Sequence, residues 1–152
     1  MAEARVQETG AGQLRELERE IVDVGGRIGF RGLEKVLIKG NGITLTVSGK
    51  QSSYTGQTPG QRLRLRIALV IAMMRLAQKT GVGHHPGVLF IDSPGSEEVG
   101  DDDLQAMLKE ISALAAETGR LQVFLATARG NVAKPAFIPK NIRAPTEAGT
   151  MF

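Results

Sequence analysis

Thr58-Pro59-Gly60-Gln61-Arg62 and, further along the chain, Val88-Leu89-Phe90-Ile91-Asp92 are the two stretches that decide the fold. In the first, a threonine suited to capping a helix precedes a proline suited to the first helical turn, which predicts a helix from about Gln61 to Lys79. The second is an unbroken apolar run that ends in a carboxylate, as is typical of a buried parallel strand. An acid at the carboxyl end of such a strand lies where α/β folds place their binding sites.

The composition is that of a globular domain with an aliphatic core. Of the 152 residues, 41% are hydrophobic and 4% aromatic, and the net charge is +3. Because there is no cysteine, disulfides and cysteine-based metal or redox sites are excluded, which fits a cytoplasmic protein. No apolar run reaches the roughly 18 residues of a membrane span, so we expect no membrane partner. The mild basic charge is compatible with nearby nucleic acid.

A leading helix is predicted from Gln13 to Gly25-Gly26, which we expect to end it, while residues 1–12 are expected to be frayed. Its apolar residues follow helical spacing with charged residues between them, so the helix is amphipathic and is of the kind found at the end of a coiled coil. The apolar positions are Leu14, Leu17, Ile21 and Val22.

Two short strands, 33–38 and 43–47, are predicted around the turn Gly40-Asn41-Gly42. The Gly-, Ser-, Thr- and Gln-rich segment 48–60 is predicted to be a loop. The helix after it is apolar on nearly every face from Ile67 to Ala77, which predicts that it is buried all round.

A strand-helix-strand unit is predicted in the second half of the chain. The strand 88–91 is followed by a helix that begins at Asp101-Asp102-Asp103 and ends at Gly119, and then by a second buried strand at 121–126. This order implies a right-handed crossover and a parallel sheet. From about Gly130 onward, prolines and basic residues predict an irregular strap and a loose tail, whose Lys134, Lys140 and Arg143 are candidates for contact with DNA phosphates.

In this order and spacing, the motifs resemble the C-terminal lobe of an ABC-type ATPase head of the SMC and RecN-like family, which acts in DNA repair, chromosome maintenance or defence. Thr58, Gly60 and Gln61 match the family's signature motif, Ser-Gly-Gly-Gln/Glu, with Pro59 in place of the first glycine. The resemblance spans roughly residues 33–128. Further matches are Arg62, Arg64 and Ile67-Ala68-Leu69 in the signature helix, Val88–Asp92 at Walker B, Glu97–Asp101 at the D-loop, and Leu121–Thr127 in the strand before the switch histidine.

The resemblance implies an α/β fold, the C-terminal half of a P-loop ABC-ATPase head, with a parallel sheet flanked by helices, a small N-terminal hairpin and a leading helix. It implies ATP and Mg²⁺ as cofactors, with Asp92 binding the metal. The implied partners are an N-terminal lobe that carries Walker A, a second head in a homo- or heterodimer, and DNA. The implied nucleotide-binding residues are Thr58, Gly60, Gln61, Arg62 and Thr127.

Two departures from the family pattern bear on hydrolysis. Ser93 stands where the family has a catalytic glutamate, and Ala128 stands where it has the switch histidine. Neither side chain polarises water at neutral pH as a carboxylate or imidazole does. The catalytic candidates are therefore Ser93 itself and the nearby acids Glu97 and Glu98, although the simpler interpretation of the two glutamates is that they are surface acids before a helix.

Gly49-Lys50 matches the Gly-Lys pair of a phosphate-binding loop, but the flanking residues of that motif are missing. The position of the required preceding glycine is Thr44, the position of the following Ser or Thr is Gln51, and no helix is predicted to follow. We therefore expect the chain to hydrolyse ATP only when it is combined with a Walker A-bearing lobe.

The predicted domains are a leading helix or end of a coiled-coil arm at 1–26, the ATPase lobe at 27–140 and a flexible tail at 141–152. Two alternatives stay open at this stage. One is a degenerate ATPase-like scaffold without hydrolysis. The other is an unrelated α/β domain that docks a partner.

Overall fold

The computed structural model of the chain describes residues 2–40, 42–81, 86–92, 94, 99–119 and 121–143, with side chains from Gly10 onward. The backbone divides into two compact units, Met1–Gly87 and Val88–Phe152. Within the described ranges, no helix combines the length and the apolar character needed to cross a bilayer.

The first unit packs two helices and a three-stranded sheet around an aliphatic core. Helix α1 lies against both α2 and β1. It is already helical at Ala2, so the expectation of a frayed stretch up to residue 12 is wrong. The elements are α1 (Ala2–Arg27), β1 (Leu33–Lys39), β2 (Gly42–Val47), β3 (Lys50–Ser53) and α2 (Pro59–Thr80).

Helix α1 passes through Gly25-Gly26 and ends later than the sequence predicts. The N–H of Phe30 donates to the carbonyl of Gly25 at 2.8 Å, and the N–H of Gly29 donates to that of Gly26 at 3.1 Å. With Gly29 at φ +88°, these two bonds form a Schellman motif. Gly25 serves packing instead, because a Cβ there would come within 2.8 Å of Leu33 Cδ2. The prediction that Gly25-Gly26 ends the helix is therefore wrong.

The predicted hairpin is confirmed, and it continues into a third strand. β1 pairs with β2 and β2 with β3, all antiparallel, in the order β1-β2-β3. The β2–β3 turn is Ser48-Gly49, where φ is +48° and +76°, as in a two-residue type I′ turn. The glycine and lysine of the apparent phosphate loop are thus a hairpin turn and the first residue of β3. The prediction of a continuous loop over 48–60 is wrong.

Helix α2 provides much of the core of the first unit. Leu65, Ala68, Ile71 and Ala72 are buried, and Gly81 caps the helix in the left-handed conformation at φ +68°. The predicted burial on every face is wrong, because Met73 is half exposed.

The second unit contains the predicted parallel strand pair. β4 (Val88–Asp92) and β5 (Gln122–Ala126) pair in parallel, with Val88 opposite Gln122 and Asp92 opposite Ala126. Between them, α3 (Asp101–Thr118) buries one apolar face, and Gly119 ends it as predicted. After β5 come α4 (Gly130–Ala133) and the 3₁₀ turns Lys134–Ala136 and Pro139–Asn141. The buried residues of α3 are Leu104, Met107, Leu108, Ile111 and Leu114.

One face of the parallel pair is open, so the prediction that both strands are buried holds for one face only. Leu89 and Ile91 are buried, whereas Phe90 is 74% exposed and Phe124 is 51% exposed. The two rings stack, with their centroids 5.0 Å apart and an angle of 18° between their planes. We call the exposed face that carries these two rings the aromatic face.

Candidate functional site

The start of α2 is closed by a reciprocal pair of hydrogen bonds. Thr58 Oγ1 accepts from the N–H of Gln61 at 3.3 Å, and Gln61 Oε1 accepts from the N–H of Thr58 at 3.0 Å. Thr58 has extended backbone angles and Pro59 occupies the first helical position, which makes this a capping box. Thr58 is exposed and Gln61 half-buried, whereas Gly60 is buried. The polar groups that face outward here are therefore those of Thr58 and Gln61. We call residues 58–62 the signature turn.

Gln57, which is only 7% exposed, anchors the loop that leads into the signature turn. Its Nε2 donates to Ser52 Oγ at 2.7 Å and to the carbonyl of Ser53 at 3.1 Å, both in β3. Arg62 Nη1 donates to the Gln57 carbonyl at 3.1 Å. The signature turn is thus tied to the third strand that the sequence did not reveal.

Arg64 is buried beneath the same turn, with 4% of its surface exposed. Its Nε donates to the carbonyl of Ile28 at 3.0 Å, and its Nη1 donates to the carbonyl of Gly60 at 3.2 Å. Ile28 lies at the end of α1, where the helix dipole favours a cation. Among the described residues, no buried side-chain nitrogen or oxygen lacks a hydrogen-bond partner, as a buried polar group requires.

In the second unit, Asp92 and Thr127 follow neighbouring parallel strands. Asp92 is the last residue of β4 and is exposed. Thr127 comes directly after β5, and its Oγ1 accepts from the N–H of Arg129 at 3.1 Å. Because the carboxyl ends of parallel strands meet at one edge of the sheet, these two oxygen-bearing side chains share that edge. No group of three or more potential metal ligands occurs in the part of the chain that the structure describes.

The chain matches no protein-family model and no curated protein, but its structure matches solved structures. One, from work on ATP-driven dimerisation and DNA-stimulated activation of SMC ATPases, aligns over 94% of this chain and 84% of that chain, with 14% identity and a TM-score of 0.63. The chain has the fold of SMC ATPase heads.

Two further SMC heads match over a smaller share of their own length. An SMC head bound to the C-winged helix domain of ScpA aligns over 81% of this chain and 37% of that chain, with 13% identity and a TM-score of 0.57. The other is an SMC head with an extended coiled coil, bound to the C-terminal domain of ScpA and derived from Pyrococcus furiosus. It aligns over 80% of this chain and 30% of that chain, with 13% identity and a TM-score of 0.55. The chain thus spans well under half of these two SMC heads.

Arg129 connects the segment after β5 to the start of α3. It follows Ala128, and its Nη1 donates to the carbonyl of Val99 at 2.8 Å. Its guanidinium also forms an ion pair with Asp101, the first residue of α3. The catalytic candidates Ser93, Glu97 and Glu98 lie outside the described residues.

A cavity of about 590 Å³ borders Thr127 in the second unit. Its wall is mostly apolar, with Asn131, Lys134 and Arg143 as polar members. Arg143, a candidate for contact with DNA, is tied locally, because its Nη1 donates to the carbonyls of Lys140 and Ile142 at 3.0 Å each.

At its other end, α2 is joined to α1 by ion pairs. Arg75 reaches Glu20 at 3.4 Å and Asp23 at 3.3 Å, while Lys79 reaches Glu20 at 2.9 Å and Glu16 at 3.2 Å. Partial burial tends to raise the pKa of Glu20, but Lys79 and Arg75 outweigh it and lower that pKa. The hydrogen bonds that Lys79 donates to Glu20 and Glu16, with the one to Glu20 contributing most, raise the pKa of Lys79.

Sequence reasoning missed Gln57, the buried role of Arg64, and Arg129. The sequence places Arg64 in a helix that resembles the signature helix, but an arginine in a helix is more often solvated than buried. Its position among apolar residues that recur at helical spacing was the available signal. For Arg129 there is none, because it binds a backbone carbonyl that is thirty residues away in sequence. For Gln57 there is none either, because its partners lie in β3, a strand that the sequence does not indicate.

Proposed function

We propose that this chain is the C-terminal lobe of an SMC-like ATPase head, in which bound ATP joins two heads. The observation that carries this proposal is the capped start of α2 at the signature turn, within a chain that has the SMC head fold. A helix N-terminus with outward-facing N–H and hydroxyl groups favours an anion. Thr58, Gln61 and Arg62, with Gly60 allowing close backbone packing, would bind the terminal phosphate of a nucleotide held by the opposing head.

Asp92 would serve the nucleotide of its own head through Mg²⁺. Magnesium in nucleotide sites is usually held by one or two carboxylates together with phosphates and water, and one exposed carboxylate at the end of β4 fits that pattern. When bound, the ion supplies positive charge to the phosphates. On this proposal the signature turn and Asp92 serve two different nucleotides, and Thr127 lies at the same sheet edge as Asp92.

The partner that completes the head would be a lobe that carries Walker A. The aromatic face supports this, because a parallel sheet is normally covered on both faces and contains more than two strands. Phe90 and Phe124 offer two stacked rings on the side of β4 to which Asp92 also belongs by strand alternation. A lobe that covers these rings would bring its nucleotide towards the Asp92 carboxylate.

The test is ATP-dependent dimerisation of the chain combined with its Walker A-bearing lobe, measured by light scattering after gel filtration. We expect wild type to dimerise with Mg-ATP and Thr58→Arg to stay monomeric, because a large cation would fill the phosphate position. Thr55→Arg is the matched control, since Thr55 is an exposed threonine in the preceding loop. A Thr58→Arg variant that dimerises like wild type would refute the signature role.

A second candidate is an ATP-gated scaffold with little or no hydrolysis. Ala128, at the position of the switch histidine, is exposed after β5 and offers only a methyl group, and Ser93 replaces the glutamate. Phosphate release by the assembled head decides between the two. Turnover that is lost in Asp92→Ala would exclude the scaffold, whereas dimerisation without turnover would favour it.

DNA is the further partner that the family resemblance implies, in repair, chromosome maintenance or defence. Support from the chain itself is limited to its charge of +3 and the exposed Lys134 and Lys140. Because so few contacts to phosphates give only weak binding, we expect measurable DNA affinity in the dimerised heads rather than in the single chain. A fluorescence anisotropy titration with and without ATP tests this.

A further inference from the structure

The peptide unit between Gly60 and Gln61 is held at both of its ends. On the inner side, Arg64 Nη1 donates to the Gly60 carbonyl at 3.2 Å. On the outer side, the Gln61 N–H donates to Thr58 Oγ1 at 3.3 Å. Because the peptide group is planar, whatever fixes the carbonyl also fixes the direction of the N–H. The inner contact therefore sets where the outer donor points.

The guanidinium of Arg64 cannot easily swing away from this carbonyl. Its Nε is anchored to the Ile28 carbonyl at 3.0 Å, at the Schellman end of α1, and the side chain is 4% exposed. The positive charge lies against the negative end of the α1 dipole. A cation on the carbonyl oxygen also polarises the peptide group and strengthens its N–H as a donor.

The outer hydrogen bond joins two neutral groups, whereas the inner one comes from a charged donor and is therefore the stronger of the two. A distance of 3.3 Å between the Gln61 nitrogen and Thr58 Oγ1 lies beyond the usual range of N–H···O bonds. An arriving phosphate oxygen would therefore replace a poor acceptor with a charged one, while the carbonyl end stays fixed. The bond from Arg64 is made before the anion arrives, so no reorganisation of this peptide group is needed.

We propose that Arg64 is a positioning residue for the signature turn: it orients and polarises the Gln61 N–H towards the terminal phosphate of the opposing head's nucleotide. This inference rests on the proposed function, because it needs an anion at the turn. It adds that the end of α1 and the signature turn share one buried cation, so a displacement of the Ile28 carbonyl is transmitted to the Gly60–Gln61 peptide group.

The first experiment uses the full chain and needs no nucleotide. Arg64→Met removes the donors while keeping similar length, Arg64→Lys keeps the charge with a single donor nitrogen, and Arg66→Met is the matched control at an exposed position of the same helix. We expect Arg64→Met to shift the Gln61 amide resonance in ¹H–¹⁵N spectra and to speed its hydrogen exchange. Arg66→Met should leave both near wild type. Equal spectra for Gln61 in the two methionine variants would overturn the proposal.

The second experiment uses the assembled head and measures the ATP concentration for half-maximal dimerisation. We expect Arg64→Met to raise it by about tenfold, the scale of one lost hydrogen bond to a charged group, and Arg64→Lys to recover part of that. ATP affinity of the single head, which depends on the Walker A lobe, should change by less than about twofold.

The outcomes separate this inference from the proposed function. If wild type dimerises and Arg64→Met needs the same ATP concentration for half-maximal dimerisation, the role of Arg64 is rejected and the proposed function stands. Failure of wild type to dimerise, with the Walker A lobe bound, rejects both. If Arg64→Met does not fold, Arg64→Lys takes its place, and a midpoint equal to wild type in that variant counts against the proposal.

Discussion

Arg129 forms an ion pair with Asp101 and also donates a hydrogen bond of 2.8 Å to the carbonyl of Val99, two residues before it. The guanidinium thereby joins the segment after β5 to the first turn of α3. Asp101 is exposed at this helix start, where its charge is already favourable. The more protected of the two contacts is the one to the backbone carbonyl.

Substitution of Arg129 by Met should lower the free energy of unfolding of the chain by about 1–2 kcal/mol, the usual cost of losing a hydrogen bond from a charged group. Asp101→Asn should cost less, below about 1 kcal/mol, because an exposed ion pair contributes little. Urea unfolding followed by circular dichroism measures both. A larger loss for Asp101→Asn than for Arg129→Met would show that the ion pair, not the carbonyl contact, holds the segment.

The parts of the fold that the sequence predicted are those with strong local signals. The Thr58-Pro59 start of α2, the hairpin, and the alternation of β4, α3 and β5 are all indicated by caps, turns and apolar runs. β3 was missed because Lys50–Ser53 is polar throughout and is held by pairing with β2 rather than by its own propensity. Its one signal was the Ser48-Gly49 dipeptide, which is typical of a tight turn.

The sequence indicates candidate residues for a site but not their surroundings in the folded chain. The spacing of Thr58 and Gln61, which makes them candidates, also produces the capping box. The burial of Arg64 and the exposure of Phe90 are not indicated, because burial depends on which elements pack together in the folded chain. An apolar run such as 88–91 indicates a strand but does not say whether both of its faces are covered.

Gly25 and Gly26 are adjacent in α1 but differ in their surroundings, which gives a matched pair. A Cβ at Gly26 meets nothing within 4 Å, so Gly26→Ala should stabilise the chain by about 0.5–1 kcal/mol through helix propensity. At Gly25 a Cβ would lie 2.8 Å from Leu33 Cδ2, and the buried leucine would have to shift. We expect Gly25→Ala to be less stable than Gly26→Ala by at least about 1 kcal/mol. Equal stabilities in urea unfolding would contradict the packing role of Gly25.

The cap of α2 can be tested separately from any nucleotide. Thr58→Ala removes the acceptor for the Gln61 N–H and should cost about 1 kcal/mol of stability. Thr58→Ser keeps the hydroxyl and should lie within about 0.5 kcal/mol of wild type. The measurement is thermal or urea unfolding of the isolated chain. A serine variant as unstable as the alanine variant would mean that the threonine methyl group, not the hydroxyl, stabilises the helix start.

The ion pairs between α1 and α2 predict a dependence of stability on pH. The pKa of Glu20 is lowered in the folded chain, since the pull of Lys79 and Arg75 exceeds the opposing effect of burial. Its contribution is therefore present above the unfolded pKa of about 4.3 and is lost as the pH falls through the lower folded pKa. The pKa of Lys79 is raised, so its contribution is present below the unfolded lysine pKa and is lost as the pH rises through the folded value.

Glu20→Gln should flatten the acid side of the curve of unfolding free energy against pH. Asp23→Asn is the control, because Asp23 is more exposed and pairs with Arg75 alone in this cluster. The difference between wild type and Glu20→Gln should also shrink at high salt, since partly exposed pairs are screened. If the unfolding free energy falls with acid pH equally in wild type and Glu20→Gln, Glu20 does not contribute to the pH dependence of stability.

A substitution on the aromatic face should affect binding of the Walker A lobe much more than the stability of the chain. Phe90 is 74% exposed, so Phe90→Gln forfeits little buried area, and its cost to the chain alone should be limited to the ring stacking with Phe124, about 0.5–1.5 kcal/mol. If the Walker A lobe covers this face, the same substitution removes a central aromatic contact and should weaken binding of that lobe by about 2 kcal/mol or more, roughly thirtyfold.

Met73→Gln is the matched control, because Met73 is an apolar residue of the other unit with 50% exposure. The affinity of the Met73→Gln variant for the Walker A lobe should stay within about twofold of wild type. Calorimetric titration of the chain variants with the Walker A lobe measures the difference. The docking of that lobe on β4 and β5 would be refuted if Phe90→Gln and Met73→Gln bound it equally well, because an aromatic pair at the centre of an interface cannot be replaced by an amide without loss.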